Sequence, residues 1–130
     1  MRVTAWDKQR GEERNVRYLL MIYEDEDAWK AASAAQRDAV YAGHRDLMEA
    51  LATAGKDVRG AELEPSTTAV SLRGGSGADR LRVDGPFTAQ PEMLTGYYAI
   101  ACDDVDEAVD WASRIPTIAG GVEVRPIVAA

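Results

Sequence analysis

Two stretches of the chain are apolar at both parities, and they set the frame for the rest. In Val16–Tyr23, the residues Tyr18, Leu20 and Ile22 fall on one side and Leu19, Met21 and Tyr23 on the other. A strand apolar at both parities lies inside a sheet that is covered on both faces. Tyr97–Cys102 repeats the pattern, with Tyr97, Ala99 and Ala101 against Tyr98, Ile100 and Cys102. Two segments carry the helical period instead. Ser33-Ala34-Ala35-Gln36 has the form of a capping box, and the helix it opens is expected to run to about Ala54, where Gly55 supplies a stop. Its apolar stripe is Val40, Leu47 and Leu51, joined by Met48. His44 follows Val40 by four and precedes Leu47 by three, so it shares that face. Asp104 caps a second helix, with Glu107 at the capping-box position. Val105, Ala108, Val109 and Ala112 form its stripe with Trp111 on the flank, and it ends before Pro116.

The remaining segments are weaker. Asp57–Glu64 reads as a poor strand, and Thr67–Leu72 with Arg80–Val83 as the arms of a hairpin whose tip is rich in glycine. Val122–Ile127 is a last strand, placed at an edge or a strand end by Pro126. The run Glu24-Asp25-Glu26-Asp27 reads as a solvated loop closing the first strand. Residues 1–15 show neither period and read as a flexible N-terminal extension to a domain spanning 16–130. The order strand, helix, strand, hairpin, strand, helix, strand predicts an α+β fold, a ferredoxin-like sandwich with an inserted β-hairpin. Two helices cover only one face of such a sheet. A second copy of the same sheet is the simplest cover for the other face, so a homodimer is expected.

Composition narrows the function classes. The 130 residues carry a formal net charge of −7, which argues against a nucleic-acid backbone or an anionic membrane surface as partner. No apolar run is long enough to span a membrane and no secretory signal is visible. The single cysteine, Cys102, excludes an intramolecular disulfide and a multi-cysteine zinc site, and a cytoplasmic protein is expected. His44 is the sole histidine, and no paired-ligand spacing accompanies it, so a metal site is not expected. The glycine-rich hairpin tip is not a phosphate loop, because neither Lys-Ser/Thr nor a helix follows it.

Chemistry, if present, centres on the sole histidine and a stiffened corner. Asp84-Gly85-Pro86-Phe87 ends the second hairpin arm, with Pro86 restricting both its own φ and the residue before it. Asp84 is read either as a turn carboxylate bonded to nearby amides or as a carboxylate aimed back at the sheet. His44 is read either as a buried histidine satisfied by a carbonyl or carboxylate, or as a proton-transfer group whose pKa of about 6.5 suits neutral pH. In the second reading Asp84 orients the imidazole, Tyr18, Tyr97 or Tyr98 line a pocket, and Arg125 holds an anionic group. The alternative for Arg125 is a structural pairing with Glu123.

The ordered pieces together resemble the YCII-related domain family, and within it the DGPF subgroup. They are the opening RYLLMIY, Gly43-His44-Arg45, the DGPF tetrad, Leu94 with Gly96-Tyr97-Tyr98, the Asp104–Trp111 helix and the closing Glu123–Ile127. The resemblance runs from about Val16 to Ile127 and implies a ferredoxin-like dimeric α/β barrel. It implies a His–Asp pair at His44 and Asp84, and a cofactor-free lyase, isomerase or dehydrochlorinase acting on a small cyclic or aromatic substrate. It implies equally a non-catalytic binding or regulatory protein, since members of the subgroup are often encoded beside extracytoplasmic-function sigma factors. In the resembling proteins the chain begins near Val16, which makes residues 1–15 a dispensable extension. After the tetrad, Ala89 and Pro91-Glu92 stand where the subgroup commonly has Glu and then Lys-Glu. Two polar groups are thereby removed from the entrance segment.

Overall fold

Alternation along the first strand decides where the core lies. In the computed structural model, which describes residues 16–129, β1 spans Val16–Asp25 and buries Tyr18, Leu20, Ile22 and Glu24 on one face. The intervening Leu19, Met21 and Tyr23 are only half-buried. The N-terminal extension 1–15 lies outside the described residues.

Two helices follow. The first, α1 (Glu26–Ala31), is a single short turn-and-a-half capped by Asp25, whose carboxylate accepts from the amides of Asp27 and Ala28. The second, α2 (Ala34–Thr53), opens with the expected capping box: Ser33 Oγ accepts from Gln36 N while Gln36 Oε1 accepts from Ser33 N. It buries Val40, Leu47 and Leu51, as the spacing requires. Met48, grouped with that stripe from sequence, is 42% exposed, because it lines an open cavity beside the stripe rather than the packed core.

Beyond α2 come β2 (Val58–Glu62), β3 (Val70–Arg73), β4 (Leu81–Asp84), β5 (Glu92–Cys102), α3 (Val105–Ala112) and β6 (Gly120–Pro126). Strands β2-β5-β1-β6 form one antiparallel sheet in that order, and β3 with β4 form a separate two-stranded ribbon. Register places Tyr18 opposite Ile100, Leu20 opposite Tyr98 and Ile22 opposite Gly96. On the far side of β5, Val58, Gly60 and Glu62 meet Ile100, Tyr98 and Gly96. These residues therefore share one face of the sheet. The core gathers Leu20, Ile100 and Cys102 from that face with Leu47 and Leu51 of α2 and Ala108 and Ala112 of α3. Both helices thus cover the same face. On α3 only the alanines are buried; Val105 and Val109 are 49% and 48% exposed. The small alanine side chains let the short helix lie close to the sheet, and the valines fall outside the contact.

The acidic run corrects the sequence reading most. Glu24 to Asp27 is not a solvated loop. Glu24 is 4% exposed, and its carboxylate accepts from Ile118 N at 2.9 Å and Ala119 N at 2.6 Å. Glu26 accepts from the amide of Ser66 at 2.8 Å and from its hydroxyl. Asp25 caps α1. Each carboxylate meets backbone amides, which is how an anion is held among apolar neighbours without a counter-charge. The three residues tie the end of β1 to the segment before β6, to α1 and to the loop after β2.

At the other end of the domain, Lys56 Nζ lies 2.5 Å from Glu107 Oε2. Glu107 also accepts from Asp103 N at 2.8 Å and Trp111 Nε1 at 3.0 Å. This network joins the end of α2 to the start of α3. Burial works to raise the Glu107 pKa, but the Lys56 ammonium, the Asp103 amide and the Trp111 indole outweigh it and hold the carboxyl below its ordinary value.

Candidate functional site

A cavity of about 660 Å³ opens between α1, α2, the β2 edge and the loop that Glu26 anchors. Its walls include Trp29, Tyr41, His44, Glu62, Tyr98 and Pro116. Tyr41, His44 and Met48 follow one another at helical spacing beside the buried stripe, so α2 presents them together. Tyr98 reaches the cavity because its parity on β5 turns it toward the helices.

His44 Nδ1 stands 2.7 Å from the Tyr98 hydroxyl, with the ring centroids 5.8 Å apart. Burial lowers the His44 pKa below the ordinary imidazole value, and the negative charge of Glu62 offsets part of that. Burial raises the Tyr98 pKa. At neutral pH the pair is therefore a neutral imidazole and a neutral phenol. With the Tyr98 hydroxyl donating to Nδ1, Nε2 carries the ring proton; with Nδ1–H donating to the hydroxyl, Nε2 is a free base. In either tautomer Nε2 is the nitrogen left for chemistry.

Two glycines make this arrangement fit. A Cβ on Gly60 would stand 2.6 Å from the Tyr97 carbonyl oxygen and 2.7 Å from Tyr98 Cδ1, so a side chain there displaces the ring that meets His44. A Cβ on Gly43 would stand 2.8 Å from Pro116 Cγ, so glycine lets α2 approach the far wall. A second polar pair lies nearby. The Tyr41 hydroxyl donates to Glu62 Oε2 at 2.8 Å, and that bond, with burial, raises the Tyr41 pKa. Trp29 meets Tyr41 edge to face, with centroids 5.7 Å apart and planes at 89°.

Of the residues singled out from sequence, His44 and Tyr98 line the cavity, and Tyr97, of the opposite parity on β5, borders it. Tyr18 is buried in the core at 6% exposure and is not among the lining residues. Arg125 pairs with Glu123 at 2.7 Å on the exposed part of β6, which is the structural alternative considered above. Asp84 ends β4 on the separate ribbon; its side chain is 86% exposed and lies 3.6 Å from Arg82 Nε. It does not line the cavity, and the contact found for His44 is to Tyr98. The corner itself forms as expected, with Gly85 at φ +113° and its amide bonded to the Ala69 carbonyl at 2.7 Å. Sequence reasoning passed over Trp29, Tyr41 and Glu62. The three-residue step from Tyr41 to His44 was the one local signal available; the other two meet the site only through long-range packing.

The fold and the cavity define a small α+β domain whose single histidine is held against a tyrosine in a mostly apolar pocket. The profile of the YCII-related domain matches residues 16–130. An uncharacterized protein of Rhizobium meliloti (strain 1021) is 34% identical over 113 residues, covering 85% of this chain and 90% of the relative. The chain belongs to the YCII-related domain family.

Proposed function

We propose that the domain moves a proton on a small cyclic or aromatic molecule held in this cavity, as a cofactor-free lyase, isomerase or dehydrochlorinase. The observation that carries the reading is the 2.7 Å contact between His44 Nδ1 and the Tyr98 hydroxyl inside a 660 Å³ cavity. His44 takes or returns the proton at Nε2, acting as a base in the tautomer whose Nδ1–H donates to the Tyr98 hydroxyl, and Tyr98 fixes the plane of the ring. A neutral imidazole is the form a base requires, and burial secures it at neutral pH. The test is a panel of chlorinated and hydroxylated aromatics and lactones, followed by mass spectrometry for turnover and for solvent deuterium. His44→Gln is expected to lower turnover by roughly 10²–10⁴-fold, the usual range for removing a general base. Full turnover in that variant refutes the reading. If no panel member reacts and neither variant nor wild type exchanges deuterium, the non-catalytic role, as a regulatory protein linked to a sigma factor, takes its place.

The same reading makes the domain a cytoplasmic, ferredoxin-like member of the DGPF subgroup that pairs as a dimeric α/β barrel. Its support is the sheet face away from the helices, where Leu19, Met21, Tyr97 and Ala99 are half-buried at most. The ribbon adds Val70, Leu72, Leu81 and Phe87, each more than half exposed. A lone two-stranded ribbon is marginal in water, so a second copy supplies its missing contacts. A monomer by light scattering at micromolar concentration overturns the dimer. Asp84 enters the site in this reading only from the partner copy. Asp84→Asn then lowers the His44 pKa, and an unchanged NMR titration of His44 removes Asp84 from the site.

A further inference from the structure

The cavity contains more information than a proton-transfer pair needs. Four of its residues are carboxylates, Glu24, Glu26, Glu62 and Glu64, against one ammonium, Lys30. Two of the four are occupied within the fold, Glu24 by the amides of Ile118 and Ala119 and Glu26 by Ser66. Glu62 differs from them. It sits on the helix-covered face of the sheet, level with Gly96 and one step along from Tyr98, and one of its oxygens accepts from Tyr41. A phenol hydroxyl satisfies part of a carboxylate without neutralising it, so the negative charge remains at the cavity wall.

The rings beside that charge are arranged to meet a cation. Trp29 and Tyr41 pack edge to face at right angles, and both line the cavity beside Glu62. The ring quadrupole attracts positive charge over its face, most strongly in Trp and then in Tyr. Donation of the Tyr41 hydroxyl to Glu62 enriches its ring in electrons and strengthens that attraction. His44, neutral at neutral pH, does not oppose it. An organic anion would meet Glu62 and Glu64; of the nearby cations, Lys30 lines the cavity, while the Arg37 guanidinium, which also acts on Tyr41, is held by the carbonyls of Trp29 and Ala32.

We infer that the cavity takes an organic cation, a protonated or quaternary amine with an apolar or aromatic body, whose charge sits between Glu62 and the rings of Trp29 and Tyr41. This rests on the reading of the cavity as the ligand site and narrows the cyclic or aromatic substrates to those bearing a positive nitrogen. The ligand's apolar body lies against Tyr98 and Pro116, within reach of His44.

Four probes that share one phenyl ring vary the charged group: benzylammonium, benzyltrimethylammonium, benzyl alcohol and benzoate. Each is titrated into the full chain by NMR, above the ordinary imidazole pKa, with the His44 ring signals as reporter. No other histidine exists to confuse them. The two cations are expected to bind at least about tenfold more tightly than benzoate, with benzyl alcohol between. Glu62→Gln, at an exposed position that tolerates change, is expected to weaken the cations roughly five- to tenfold and leave benzyl alcohol within about twofold. Trp29→Leu is expected to weaken them roughly fivefold, with Trp29→Phe recovering part of the loss. Benzoate binding as well as benzylammonium overturns the inference, as does a cation preference untouched by Glu62→Gln, or millimolar cation that leaves the His44 signals in place. The ranking is measured without turnover. Full activity of His44→Gln would therefore refute proton transfer by His44 and leave the cation preference standing.

Discussion

Replacing Glu24 by Gln tests whether the acidic run is scaffold. The wild-type carboxylate is 4% exposed and spreads three short contacts, between 2.6 and 3.1 Å, over the amides of Ile118 and Ala119. Glutamine keeps one acceptor oxygen. Standing where Oε1 stands, it still accepts from Ala119 N and, at the longer 3.1 Å, from Ile118 N, while its NH₂ group takes the place of Oε2 and meets the Ile118 amide donor to donor. The 2.9 Å charge-assisted bond to Ile118 is replaced by a donor–donor contact, and the bonds that remain become neutral ones. Bonds to charged groups contribute about 1.5–3 kcal/mol each, so Glu24→Gln is expected to lose about 2–3 kcal/mol. Glu24→Ala, which orphans both amides, should lose about 3–5 kcal/mol. For a domain of this size the first change lowers Tm by about 8–12 °C. Urea unfolding at one fixed protein concentration measures the difference and keeps any self-association common to all variants. Hydrogen exchange adds a local reading, because the amides of Ile118 and Ala119 should lose protection before the β1–β5 ladder does. A Glu24→Gln protein within about 0.5 kcal/mol of wild type refutes the reasoning, since that is the range of ordinary surface substitutions.

Gly60→Ala should cost about 1–3 kcal/mol by crowding Tyr97 and Tyr98, and should also shift the His44 ring signals; a stable variant with unmoved His44 signals contradicts the positioning role. Glu107 has a folded pKa below its unfolded one, so the stability it contributes is full above the unfolded carboxyl pKa of about 4.3 and is lost as pH falls through the folded value. Glu107→Gln should therefore flatten the acid limb of a stability-against-pH curve, and an unaltered limb would count against the network. His44 also has a depressed folded pKa, so stability falls as pH drops from about 6.5 toward the folded value, and His44→Gln removes that slope. Glu62→Gln should lower the His44 pKa further, because Glu62 is what partly raises it; a rise on NMR titration contradicts that charge coupling.

Much of the fold follows from local rules. The Ser33–Gln36 box and the Asp104 cap are contacts over three residues, and both form. The buried stripe of Val40, Leu47 and Leu51 and the alternation of Tyr18, Leu20 and Ile22 follow from helix and strand periods alone. His44 on the inner face of its helix was legible for the same reason. Tyr97 and Tyr98 were not separable by composition, because a strand apolar at both parities does not say which face the helices choose. The pairing of Tyr98 with Leu20 decides it.

What the tertiary structure decided lies where partners are distant in the chain. Glu24 meets amides 94 and 95 residues away, and Glu26 meets Ser66 40 residues away. Read locally, a run of four acids belongs in water; only the approach of two distant segments turns it into the frame of the cavity. The Asp84 corner shows the converse. Its turn chemistry is local and forms as read, with Gly85 at positive φ. Its destination depends on where the ribbon docks, and within one chain the ribbon carries Asp84 out to solvent beside Arg82. Periodicity and caps act over a few residues and are written in sequence. Which carboxylate is buried, and which side chain reaches the histidine, depend on register and packing between segments far apart in the chain.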